Sequence, residues 1–325
     1  MSKKLIRIGF IGSGSIARCA RIPRMQKDGA ARLVAVADPD PEQVRKTVET
    51  WGGKVASYDD YRDMIRCEKL DAVFISTPHS QHFDQAATAL RGGLHVLVEK
   101  PLTILPRHAR ELISLAKKQK RILAVGYQRH FKAPFLYGRE VIRAGLIGRV
   151  CGVSCYITQY WGGGGWRGVR ELAGGGFMMD TGSHLVAATL WLTGLQPKKV
   201  FASLNHDGIS IDRNAVLQVE FDGGALGSFS FFGSAARHDE CISIHGTKGC
   251  LVYRNHEWKL TGSLINDEPM RIPKRIGNEF PDDAFFRAIR NRGRGIELPL
   301  CCVDVARLTE AAYRSVDEGR MVKVR

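Results

Sequence analysis

No uncharged run in this 325-residue sequence approaches the length of a membrane span, and the N-terminal residues Met1 to Leu5 lack the apolar stretch of a signal peptide. A membrane protein is therefore not expected, and the cytoplasm is the expected location. Zinc-ligand spacing is missing as well. The eight cysteines contain no C-x-x-C pair; Cys151 and Cys155 share one face of a predicted strand, and Cys301 and Cys302 are adjacent. That pattern predicts reduced, mostly buried thiols with no metal site and no disulfide framework. Internal repeats and low-complexity linkers are absent. Acidic residues are fewer than basic ones, 33 against 48, giving a net charge of +15. The basic residues are nevertheless dispersed. Their short runs, Lys117 to Arg121 and Arg290 to Arg294, fall near predicted helix ends, where they complement the helix dipole. Nucleic acid is not the expected partner; a general attraction for anionic ligands is.

What is present is an ordinary globular composition, 44% hydrophobic and 25% charged, in a chain long enough for two domains. Residues 1–125 alternate apolar runs with amphipathic segments. Strands are predicted over residues 6–11, 32–37, 71–76, 94–98 and 121–125. Helices are predicted over 15–27, 41–51, 81–91 and 106–120. This alternation predicts an α/β fold with a doubly wound parallel sheet. From residue 126 to 325 the pattern changes. A helix over 134–144 precedes period-two strands at 150–160, 199–205, 215–221, 225–232 and 240–245, which predict an antiparallel sheet. A glycine-rich insert and a helix over 176–192 separate the first two strands. Helices over 282–291 and 303–318 close the chain, and the last is a candidate to pack back on the first domain. Trp191, Phe285 and Phe286 are assigned to packing.

The most informative stretch is Glu99-Lys100-Pro101, directly after the apolar strand at 94–98. Open parallel sheets place their ligands at the carboxyl ends of strands. An ammonium group there is paired, shifted in pKa or used, and the proline turns the chain out of the strand. At the first strand's end, Gly12-Ser13-Gly14-Ser15-Ile16-Ala17 reads G-x-G-x-x-A. Gly12 permits the tight turn, Gly14 the approach of a diphosphate, and Ala17 close helix packing, with Ser15 and Ile16 opening the helix whose N–H groups face the anion. Asp38, at the end of the second strand, is placed to accept hydrogen bonds from a ribose 2′-hydroxyl and to repel a 2′-phosphate. The expected cofactor is NAD rather than NADP.

Taken together, Gly12/Gly14/Ala17, Ser76-Thr77-Pro78, Glu99-Lys100-Pro101 and Gly126-Tyr127-Gln128-Arg129 resemble the Gfo/Idh/MocA oxidoreductases. The resemblance continues through Gly174-Gly175-Gly176 and Asp180-Thr181-Gly182-Ser183-His184 to the last helix. It implies a Rossmann domain followed by an α+β domain with a large, mostly antiparallel, open-faced sheet, and homodimers or homotetramers packed through that sheet. It implies hydride transfer between nicotinamide and a hydroxyl-bearing carbon of a sugar or cyclitol. By motif match, Lys100, Asp180 and His184 are catalytic, and Ser76, Thr77, Pro78, Glu99 and Arg129 line the cofactor channel. Trp166 and Arg167 resemble a pair near the nicotinamide end. The sequence departs from the pattern at His79, a position often occupied by asparagine, although His82 matches the segment's usual histidine. It also lacks an acid shortly after His184.

The chemistry of alcohol oxidation suits these residue types. Histidine titrates near neutrality, as a base for a hydroxyl proton must. Asp180 and His184, four residues apart, share a face if the segment is an α-helix. Lys100 would stabilise developing alkoxide charge; an alternative makes Lys100 the base, which requires a pKa lowered by burial. Gly174 to Gly176 would let a ligand approach the helix start, and Gly182 leaves room beside it. Tyr127 and Trp161 are candidate substrate contacts, Trp161 by stacking on a sugar or else as a core anchor. Two other functions compete with a dehydrogenase: a glycosidase or lyase using transient oxidation with no net redox change, and a non-catalytic dinucleotide sensor.

Overall fold

The computed structural model describes residues 5–293, 296–297 and 299–325; Met1 to Lys4 and Arg294, invoked above, lie outside the described residues. The chain forms two compact units, one of Met1–Thr103, Arg107–Gly126 and Phe280–Leu300, the other of Ile104–Pro106, Tyr127–Glu279 and Cys301–Arg325.

The first unit runs β1 (Ile6–Ile11), α1 (Ile22–Asp28), β2 (Ala31–Ala37), α2 (Pro41–Trp51), β3 (Ala56–Tyr58), α3 (Tyr61–Cys67), β4 (Ala72–Ile75), α4 (His82–Arg91), β5 (His95–Val98), α5 (Pro106–Gln119) and β6 (Leu123–Val125). Its six strands are parallel in the order β3-β2-β1-β4-β5-β6. The order reverses direction between β1 and β4, the point at which such sheets open a crevice. Every residue of β4 and β6 is buried, as expected for strands covered by helices on both faces. α2 starts where its sequence says it should: the Asp40 carboxylate accepts hydrogen bonds from the Glu42 and Gln43 amides, and Pro41 opens the first turn. The helix expected over 15–27 is present, running without a gap over residues 15–28, but one of its turns is wider than an α-helical turn. A π-helical turn, Ala17–Arg21, precedes α1. Pro23 accounts for the wider turn, because a proline inside a regular helix removes one bond and crowds the carbonyl four residues back. β3 and α3, short and half-exposed, were not anticipated.

The second unit contains α6 (Ala133–Arg143), β7 (Val150–Tyr160), α7 (Arg170–Ala173), α8 (Ser183–Thr193), β8 (Pro197–Asn205), β9 (Asn214–Phe221), β10 (Leu226–Phe232), β11 (Ser234–Gly246), β12 (Gly249–His256), β13 (Lys259–Ile265) and β14 (Glu268–Pro269). Then come α9 (Pro281–Arg290), which belongs to the first unit, and α10 (Cys301–Glu318) and β15 (Val322–Lys323), which belong to the second. Nine strands form one sheet in the order β14-β13-β12-β11-β7-β10-β9-β8-β15. All its pairings are antiparallel except β10 with β7. That exception arises because α8 carries the chain across the sheet, so β10 fills the gap between β7 and β9. One face is covered by α8 and α10. On the other, Tyr156, Val216, Leu226 and Phe232 are exposed.

The units divide the chain differently from a single cut at residue 125. The segment that returns to the first unit is α9, packed on α1, β5 and β6, while the last helix packs on α8 and β8 of the second. α9 is held by charge as well as by Phe285 and Phe286, which lie against Phe74. The guanidinium of Arg21, 3% exposed, donates to Asp282 at 2.5 Å and also to Glu99, and Arg24 reaches Asp282 at 3.1 Å. Burial works against the Arg21 charge, but the two carboxylates more than offset it and raise its pKa. Removing one member of such a cluster leaves a desolvated charge behind. Asp282→Ala should destabilise the first unit by roughly 3–5 kcal/mol in chemical denaturation. Glu49→Ala, which breaks the exposed Arg45–Glu49 pair, should leave the midpoint unchanged.

Candidate active-site elements

In the first unit the predicted motifs share one edge of the sheet. Gly12 follows β1, Asp38 follows β2, Ser76-Thr77-Pro78 follows β4, Glu99-Lys100 follows β5 and Gly126 follows β6, all at the carboxyl ends of neighbouring strands. The sheet's bonding carries on past the strands: the Gly12 amide donates to Ala37, Ser76 to Ile11, Glu99 to Ile75 and Gly126 to Val98, each at 2.8–2.9 Å. The glycine turn and Lys100 therefore stand two strand spacings apart, about 10 Å. Gly12 has φ +84°, and a Cβ there would lie 2.8 Å from the Ser76 backbone, so no other residue fits without strain. Gly14 faces open space instead, with nothing within 4 Å of an added Cβ. Asp38 Oδ2 accepts from the Ser13 amide at 2.7 Å and its hydroxyl at 3.0 Å, and Oδ1 accepts from the Asp40 amide at 3.0 Å.

The neighbouring loops are braced rather than open. His82 is fully buried, with Nδ1 2.8 Å from the Pro101 carbonyl and Nε2 3.0 Å from the Thr77 carbonyl. Burial pushes its pKa down. A neutral imidazole carries one N–H, so His82 donates to one of these two carbonyls, and its ring fills the space between the loop after β4 and the loop after β5. His79, also buried, packs edge-on against it. Thr77 donates to Gln85 at 2.6 Å. Glu99 is engaged by Arg21, which makes it a support for its half-buried neighbour Lys100.

In the second unit Asp180 sits in a π-helical turn, Met178–Gly182, that runs into α8. The wider turn departs from the α-helical register expected between Asp180 and His184. Asp180 Oδ2 accepts from Trp161 Nε1 and Arg167 Nε, both at 3.1 Å. Arg167 in turn lies over the Trp166 ring at 4.4 Å, so Trp161, Trp166, Arg167 and Asp180 form one assembly. Trp161 is buried and packs on Phe177. Trp161 thus ties the start of the glycine-rich loop to Asp180 and Phe177. His184 is half-buried, its ring edge-on to Tyr127 at 5.6 Å. Tyr127 also meets His130, whose ring stacks on Trp191 at 4.7 Å and whose pKa burial pushes down to about 3. Burial likewise raises the Tyr127 hydroxyl well above its usual range, keeping it protonated. Arg129, expected in the cofactor channel, is committed to the buried carboxylate of Glu240, with one of its two bonds at 2.9 Å. The three glycines ahead of Asp180 admit protein groups where a ligand was expected. An added Cβ would strike Ile104 at Gly174, the Tyr313 hydroxyl at Gly175 and the Asp212 carbonyl at Gly176. Gly182 makes room for the Phe231 ring.

Residues 6–127 match an oxidoreductase family with an NAD-binding Rossmann fold, and residues 135–252 match the GFO/IDH/MocA C-terminal domain. The chain belongs to the Gfo/Idh/MocA oxidoreductases. Among curated proteins it is 26% identical to 1,5-anhydro-D-fructose reductase of Ensifer adhaerens over 96% of this chain and 88% of that protein. It is 29% identical to D-glucoside 3-dehydrogenase of Escherichia coli over 61% of this chain, spanning 57% of that protein's length. Among solved structures it resembles aldose-aldose oxidoreductase of Caulobacter crescentus, with TM-score 0.84, 26% identity, and 98% and 100% of the two chains covered. The WlbA dehydrogenase of Chromobacterium violaceum, crystallised with NADH and UDP-GlcNAcA, shares the fold at TM-score 0.87 and 24% identity, with 100% and 97% covered.

The first unit of this Gfo/Idh/MocA chain has the donors and the space that NAD requires. The open position above Gly14 leaves space for a diphosphate at the N-terminus of the following helix, and Asp38 Oδ1 retains lone-pair capacity for a ribose hydroxyl. Arg18 fixes the turn by donating to the Ser13 carbonyl at 2.6 Å and to Gln43 at 2.9 Å. Sequence reading missed Arg18, Arg21, Asp212, Asp282 and Tyr313. For Asp212 and Tyr313 a signal existed, since three consecutive glycines before a helix leave it without a local cap. Gly14→Ala tests the fit directly. Its methyl meets no protein atom, so thermal stability should hold within a degree or two while NAD affinity drops at least tenfold by titration calorimetry.

Proposed function

We propose that this chain is an NAD-dependent dehydrogenase acting on a hydroxyl-bearing carbon of a sugar, cyclitol or related polyol, its first unit taking the dinucleotide and its second the substrate. The observation carrying this reading is the line of Gly12, Asp38, Ser76 and Lys100 along one sheet edge. The sugar-directed names of its relatives support the substrate class. Bound NAD would supply the hydride acceptor. His184 takes the hydroxyl proton on an imidazole nitrogen, and the Lys100 ammonium holds the substrate oxygen as negative charge develops on it. Asp180, fixed by Trp161 and Arg167, receives a substrate hydroxyl. Tyr127 packs against the His184 ring and limits its rotation. The exposed side chains of Tyr156 and Val216, which flank Ser230 on the open face of the large sheet beside a groove of about 400 Å³, support assembly into homodimers or homotetramers.

Lys100→Ala and His184→Ala should each reduce NADH formation from a responsive polyol at least a thousandfold, with NAD affinity nearly intact; full activity in either variant refutes the assignment. A steady rise in NADH absorbance is expected with the wild type, whereas product without net NADH would make it a transient-oxidation lyase. Asp38→Ala should weaken NAD binding and relax the rejection of NADP, read as the ratio of the two dissociation constants. An unchanged ratio removes Asp38 from cofactor choice.

A further inference from the structure

The turn that carries Asp180 has no means of capping itself. The residues before it are Ala173-Gly174-Gly175-Gly176, which offer no side-chain acceptor for the first amides of the helix. One residue distant in sequence supplies acceptors for three successive amides there. Asp212 Oδ1 accepts from the Gly176 amide at 2.7 Å, Oδ2 accepts from the Met178 amide at 3.0 Å, and the Asp212 carbonyl accepts from the Phe177 amide at 2.8 Å. Three successive amides thus converge on one residue. A carboxylate at a helix N-terminus is also favoured by the dipole.

Asp212 is itself held. The Tyr313 hydroxyl, from α10, donates to Asp212 Oδ1 at 2.6 Å and lies 3.3 Å from the Gly176 nitrogen. Burial raises the Asp212 carboxyl's pKa, opposed by the hydroxyl and the two amides aimed at it. The clamp leads directly to Asp180, whose amide donates to the Gly176 carbonyl at 2.9 Å. Gly175 and Gly176 are required by this arrangement, because a Cβ would come within 2.0 Å of the Tyr313 hydroxyl at the first and 1.8 Å of the Asp212 carbonyl at the second.

We propose that Asp212, locked by Tyr313, is a positioning residue for the reaction, setting the π-helical turn so that Asp180 and the start of α8 stand in working geometry. At 1% exposure Asp212 is sealed from substrate and acts only through the backbone it holds. The inference rests on the proposed dehydrogenase reading for the meaning of Asp180. The loss expected is of turnover more than of binding, because a displacement of about 1 Å in a catalytic group can cost on the order of a hundredfold in rate.

The test uses the full chain with Tyr313→Phe, which removes a single hydroxyl, alongside Asp212→Asn. Hydrogen exchange of the segment 174–182 should rise about tenfold in both, with exchange in the first unit unchanged. The kcat for a polyol that the wild type oxidises should fall roughly 10- to 100-fold, with the NAD dissociation constant moving less than about twofold. Glu310→Ala, on the exposed side of α10, should alter neither. Unchanged exchange in Tyr313→Phe overturns the clamp, and raised exchange with wild-type kcat overturns its role in positioning. Should Asp212→Asn fail to fold, Tyr313→Phe carries both measurements. If the wild type oxidises no polyol, the dehydrogenase reading and the positioning role fail together, and exchange still decides whether the clamp exists.

Discussion

A buried guanidinium is the constraint on which the first unit depends. Arg21 has been taken out of water, and a charge in that position is tolerated only with partners close at hand. Its two partners come from distant parts of the chain: Glu99 follows β5, beside the edge strand β6, and Asp282 opens α9. A planar fork of donors meets both carboxylates at once, which an ammonium group could not do with the same geometry. Satisfying one charge therefore draws a late helix onto the sheet and fixes the backbone beside Lys100. The narrow space over Gly126, where an added Cβ would lie 3.0 Å from Glu99 and 3.1 Å from Arg21, follows from the same cluster.

The second unit answers a similar demand with a carboxylate. Its central helix, α8, is mostly buried and packs against α6, α10 and β7. The glycines that let its start pack so closely strip away the side chains that would normally cap it. Buried amides need acceptors wherever they come from, and Asp212 provides them from the loop before β9. Close packing and long-range polar pairing are thus two consequences of one local choice. The assembly of Trp161, Arg167 and Asp180 extends it, since the carboxylate in the turn is oriented by donors from the glycine-rich loop.

Much of the fold was legible because parallel strands covered on both faces read as continuous apolar runs, and the residues after them stand at the ligand-binding edge. The turn at Gly12, Asp38 after β2 and Lys100 after β5 were found on that basis. β3 and α3 escaped notice because they are short and half-exposed, with little periodicity to detect. The two π-helical turns were invisible to a 3.6-residue pattern. For His82, Arg129 and Trp161 the residue types were recognised, but their surroundings were not. A backbone carbonyl, a buried glutamate and a buried aspartate claim these side chains, and the two carboxylates lie well away in sequence from the residues they bind.

By itself the sequence determined the class of each unit, the order of its elements and the chemistry available at the carboxyl edge of the first sheet. These follow from local periodicity and from the few residue types able to make a tight turn or carry a proton. Tertiary structure alone decided that α9 rather than the last helix joins the first unit, that β10 runs parallel to β7, and that three glycines make room for Asp212 and Tyr313. Those outcomes depend on which buried charges and amides find partners across long stretches of chain, and no local pattern encodes that pairing.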